Sequence, residues 1–148
     1  MKDDMTGRGK VQIYHYEEAV AKLFKKFLDD AMYVANYEIV KPSTSIEYIA
    51  EDINEKSPDL VFLALEFGWP HERNQGLEVL VKVRQKSEVP VVMVTSNSNY
   101  RTDMVNLVES KISGCNGYLV LPSGIGKSVN FADALIEGLP FSESDIVQ

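Results

Sequence analysis

The segment Ser57–Gly76, SPDLVFLALEFGWPHERNQG, constrains the fold more than any other part of the chain. An unbroken apolar run, Leu60 to Leu65, stands between a Ser-Pro-Asp turn and a polar loop carrying Gly68, Pro70 and charges. Such a run without polar alternation suits a strand buried on both faces, the central position in a parallel sheet covered by helices. Ligands and chemistry in these sheets collect just past the carboxyl ends of the strands, here Ala64 and the loop behind it. Ala64 has no reactive atom.

The rest of the chain alternates around that strand. Val11–His15, Tyr37–Val40, Pro90–Thr95 and Gly117–Leu121 read as four further short strands. Between the first two, Val20, Leu23, Phe24, Phe27 and Leu28 recur at helical spacing and predict one buried stripe on a helix ending near Ala31. Pro42 stops the second strand, and Thr44-x-x-Glu47 has the pattern of a capping box for a helix burying Ile46, Ile49, Ala50 and Ile53. Leu77, Leu80, Val81 and Arg84 mark a third helix from Gly76. Met104, Leu107, Val108 and Ile112 stripe a fourth, closed by Gly114, and Phe131, Ala134, Leu135 and Leu139 belong to the last. Met1 to Lys10 reads as a disordered lead-in, residues 11–140 as one domain and 141–148 as a short tail. Strands alternating with helices throughout imply right-handed crossovers and a parallel sheet covered on both faces.

Composition removes several function classes. A formal net charge of -7 over 148 residues leaves no basic stripe for nucleic acid and repels anionic membrane surfaces. No apolar run approaches the roughly 20 residues of a membrane span, and no signal-peptide pattern is present. The lone Cys115 has no partner for an internal disulfide and reads as packing; a reducing, cytoplasmic setting is expected. Neither His15 nor His71 lies near a cysteine or a second histidine at ligand spacing, so no metal site is expected.

The string PDLVFLALEF, followed in order by GLEVLVKVR, VPVVMVTS and NGYLVLP, resembles the receiver domain of bacterial two-component response regulators. The resemblance runs from about Val11 to Leu139 and implies a flavodoxin-like (βα)5 fold, a doubly wound five-stranded parallel sheet in the order 2-1-3-4-5. The family transfers a phosphoryl group to an Asp at the end of the third strand. An acidic pair after the first strand supplies hard oxygen ligands to magnesium, and a Lys before the proline after the fifth strand pairs with the phosphoryl group. In this chain Ala64 stands at the acceptor position, His15 and Tyr16 at the acidic pair, and Leu121 at the lysine. Only the hydroxyl at the end of the fourth strand, Thr95, and the aromatic of the fifth, Tyr118, are retained; in receivers these two move together when the phosphoryl group arrives.

The resemblance therefore implies a degenerate receiver, or pseudo-receiver. Its expected function is non-enzymatic and phosphorylation-independent signalling through protein–protein contact, with no cofactor. The expected surface is formed by the fourth helix, fifth strand and fifth helix, engaging a signalling partner or forming a homodimer.

Four features fall outside that pattern. Asp59 sits at the amino end of the central strand, about 17 Å from Ala64, too far to act as a substitute acceptor. Glu66 is closer and is expected to be a solvated loop acid or a cap for the turn. The loop after Ala64 is longer than in the family and holds Phe67 and Trp69 beside His71 and Arg73, which suits either an aromatic anchor for a partner or a ring folded back over the vacant acceptor pocket. Gly124-Ile-Gly126-Lys127-Ser128 is a partial match to a phosphate-binding loop, but the glycine required five positions before Gly126-Lys127 is Leu121. The alternative it raises is a nucleotide- or phospholigand-binding domain using the strand-end crevice; the plainer reading is a connector capped by Ser128.

Overall fold

The computed structural model describes residues 7–67, 75–95, 109–121 and 124–139. Strand β1 (Lys10–His15) is followed by α1 (Glu18–Asp30), β2 (Val34–Ile39), α2 (Ile46–Lys56), β3 (Leu60–Ala64), α3 (Gln75–Arg84) and β4 (Val91–Thr95). A helical turn at 109–112, labelled α4, precedes β5 (Gly117–Val120), and a 3-10 turn (Ile125–Lys127) runs into α5 (Ser128–Glu137). The strands form one sheet in the order β2-β1-β3-β4-β5, every pair parallel. This is the expected doubly wound order.

Strand periodicity explains why β3 has no polar residue. Val61, Leu63 and Leu65 pack on one face with Ile49 and Ile53 of α2 and Val79, Leu80 and Val83 of α3. Leu60 and Phe62 pack on the other with Ala21, Phe24 and Leu28 of α1 and Phe131 and Ala132 of α5. With side chains alternating between two covered faces, a polar residue anywhere in β3 would be buried.

Several local expectations shift. On α1 the buried line is Ala21, Phe24 and Leu28, whereas Leu23 and Phe27 are 42% and 37% exposed. The small Ala21 lets the helix lie close to the sheet, bringing the Phe24 ring to 5.2 Å from that of Phe62 and turning Leu23 and Phe27 to the flank. The cap of α2 is Ser45, whose Oγ accepts from the Tyr48 N–H at 3.2 Å; Thr44 instead accepts from the Lys41 N–H and closes the preceding turn. Val81 of α3, Ile112 of α4 and Leu139 after α5 are exposed, not core. Met104, Leu107 and Val108 lie outside the described residues. Ser128 does not cap α5: it is the first helical residue and is buried.

The expected lead-in is tied down from Gly7 onward. Arg8 donates from Nε to Glu137 at 2.8 Å and from Nη2 to Asp133 at 2.7 Å, and its guanidinium lies 4.5 Å from the Tyr33 ring centre. The Arg8 backbone N–H also donates to the Met32 carbonyl, so this segment is held to both the end of α1 and to α5. The tail at 141–148 lies outside the described residues.

Candidate functional site

Parallel strands bring their carboxyl ends to one edge, and the residues singled out from the sequence meet there. Ala64 ends β3 and is fully buried, with Val94 of β4 as its Cα partner. The carboxyl end of the neighbouring β1 is His15. On the other side, β4 ends in Thr95, whose carbonyl accepts the Leu121 N–H at 2.7 Å, so the residue after β5 is tied to the same edge. Tyr118 lies one strand turn back, paired with Met93, and is 3% exposed.

His15 is enclosed. Its ring stacks on Tyr16 with centres 4.6 Å apart, and Nδ1 accepts the Glu17 N–H at 3.0 Å, which leaves the imidazole proton on Nε2. Burial pushes its pKa down to about 4. The unfolded chain therefore binds an extra proton between about pH 6.5 and 4, and the folded protein should lose up to about 3 kcal/mol as pH falls through that window. His15→Asn removes this component. The stability gap between wild type and His15→Asn should narrow on moving from neutral pH to about pH 4.5 in chemical denaturation, and a gap independent of pH would contradict an enclosed neutral imidazole.

The sequence reading missed Glu66. It is not a solvated loop acid: it is 6% exposed, and its carboxylate accepts the Thr95 hydroxyl at 2.9 Å to Oε2 and 3.2 Å to Oε1. Thr95 itself is 1% exposed. The available signal was the run Leu65-Glu66-Phe67, an acid enclosed between apolar residues directly past a buried strand. The next residue, Phe67, is fully enclosed among Leu65, Met93 and Tyr118 of the core facing α2 and α3, so it is not an exposed anchor. Trp69, His71 and Arg73 lie outside the described residues.

The Gly124–Ser128 segment does not form an open phosphate cradle. Gly124 donates to the Val120 carbonyl and lies so close to it that an added Cβ would stand 2.6 Å from that oxygen. Ile125 to Lys127 then wind as a 3-10 turn directly into α5, and among the described residues of this loop no arc of backbone amides surrounds an anion site. Among the described residues, no group of three His, Cys, Asp or Glu side chains is placed to hold a metal ion, and no helix is long and apolar enough to cross a membrane.

The whole fold aligns with solved response-regulator structures. A two-component response regulator of the LuxR family from an Aurantimonas species superposes with a TM-score of 0.73 at 17% identity, over 95% of this chain and 93% of that one. A Francisella response regulator receiver domain gives 0.70 at 17% identity over 87% and 97%, and a response regulator from Chloroflexus aurantiacus, described as putative, gives 0.68 at 19% over 87% and 98%. The fold is that of a receiver domain. No protein-family model and no curated protein matches the chain. On this receiver fold, Ala64, Glu66, Thr95 and Leu121 lie at the carboxyl ends of the strands, the edge at which doubly wound sheets place their ligands.

Proposed function

We propose that this receiver-fold protein is a pseudo-receiver: a non-enzymatic signalling module in the cytoplasm that acts by protein contact and independently of phosphorylation. The observation that carries the reading is the buried methyl of Ala64 at the carboxyl end of β3, where the receiver resemblance calls for the acceptor carboxylate. His15 and Tyr16 at the metal-ligand positions and Leu121 at the lysine position support it, since each lacks the group that phosphoryl transfer needs there. Thr95 and Tyr118 are the retained switch pair, held in one arrangement until a protein partner binds. That partner belongs to a signalling pathway and is either another protein or a second copy docking on the face of α4, β5 and α5. Phosphoryl acceptance is tested by incubating the protein with acetyl phosphate and magnesium and measuring intact mass. The expected result is an unchanged mass; a stoichiometric gain of one phosphoryl group would overturn the reading.

A further inference from the structure

We propose that Glu66 is a tethered ligand: its carboxylate fills the anion position that the Thr95 hydroxyl addresses, and so fixes the strand-end crevice in a single, self-occupied state. The proposal rests on the pseudo-receiver reading and names how that site is regulated.

A carboxylate withdrawn from water is costly unless donors replace its hydration. Glu66 is nonetheless enclosed, 6% exposed at a position two residues past β3. Its carboxylate takes the Thr95 hydroxyl between both oxygens, a charge-assisted contact across 29 residues of sequence. The two groups meet where β3 and β4 both end, which is where an exogenous anion would bind in a sheet of this topology.

Neighbouring contacts make the bond more than a local one. Phe67 follows Glu66 directly and is buried in the same apolar cluster as Tyr118 and Met93, and Met93 is the Cα partner of Tyr118. The Leu65 N–H donates to the Val94 carbonyl at 2.8 Å, which fixes the backbone entering this turn against β4. Glu66 thus ties this turn to the end of β4, and the adjacent Phe67 lies in the apolar cluster that also contains the aromatic of β5. Releasing the carboxylate from Thr95 loosens the packing that keeps Tyr118 enclosed. A group attached to its own site competes at a very high effective concentration, so a dissolved anion cannot displace it. A population responds only to a ligand that binds its states differently, and here one state already carries its ligand.

The test uses the full chain with 15N labelling and follows the Thr95 and Tyr118 amides. Wild-type spectra should be unmoved by formate, by inorganic phosphate, or by magnesium with beryllium fluoride. Glu66→Ala should shift both amides, and formate should return them saturably toward their wild-type positions by supplying the missing carboxylate. Glu66→Gln, which keeps the shape and an acceptor but not the charge, should shift Thr95 less than Glu66→Ala does, and it serves if Glu66→Ala does not fold. Unmoved Thr95 and Tyr118 amides in either variant, or a Glu66→Ala spectrum indifferent to formate, would overturn the tethered-ligand inference while leaving the pseudo-receiver reading intact. A phosphoryl mass gain in the wild type would sink that reading by a separate measurement.

Discussion

Gly76→Ala is expected to destabilise the protein by about 3 kcal/mol, combining overpacking with a lost backbone hydrogen bond. Gly76 is the second residue of α3, and a helical Gly→Ala change unopposed by contacts gains roughly 0.5–1 kcal/mol. The sign is reversed by what lies beside it. An added Cβ would stand 2.1 Å from the Ala64 carbonyl oxygen and 2.9 Å from the Leu65 Cα, backbone atoms at and just past the end of the central strand that have no rotamer to yield. The helix would have to withdraw, and the Gly76 N–H bond to the Leu65 carbonyl at 2.9 Å would go with it. Because α3 closes one face of β3, the loss extends to Val79, Leu80 and Val83. Denaturant midpoints measure this directly, with Gly126→Ala as the control, since a Cβ there meets nothing within 4 Å. A Gly76→Ala protein as stable as wild type would mean that α3 does not press on the end of β3.

Ala64→Asp is expected to lose stability on a similar scale, about 3 kcal/mol, without gaining phosphorylation. The position is fully buried, so a new carboxylate must either stay charged without hydration or take up a proton. Around it, His15 is held neutral and Leu121 offers no cation where a receiver's lysine would be expected. Glu66, two residues on, already places a carboxylate at this edge, and a second would add repulsion. The expected readouts are a lowered denaturation midpoint and an intact mass unchanged by acetyl phosphate and magnesium. Robust labelling of Ala64→Asp alone would show that a metal site persists at this edge.

Both predictions concern the same few residues, and the two were legible to different degrees. Ala64 could be placed near the strand end because the run Leu60–Leu65 is bounded by a turn signal and a polar loop, and the receiver resemblance puts the acceptor position there. Glu66 was not placed, because an acid after a strand is ordinarily solvated and its apolar neighbours Leu65 and Phe67 were the one contrary signal. Its burial depends on Thr95, a residue delivered by a different strand. Similarly, the α1 stripe was legible as a helix, but the choice of Ala21 over Leu23 and Phe27 as the inner line depends on Phe62 across the interface.

Whereas the strand order was implied only by the receiver resemblance, the sequence by itself determined the alternation of strands and helices, the two-faced burial of β3, the parallel character of the sheet, and the absence of a carboxylate at Ala64 and of a lysine at Leu121. These follow from residue identity and from periodicities of two and 3.6, which are local properties of the chain. Only the tertiary structure decided that Arg8 clasps Asp133 across 125 residues, that Glu66 turns inward to Thr95, and that enclosure keeps His15 neutral. Each of those outcomes is set by groups brought together from distant parts of the chain. Burial and hydrogen-bond geometry determine the energy of a charged or polar side chain, and neither quantity exists until the sheet has closed.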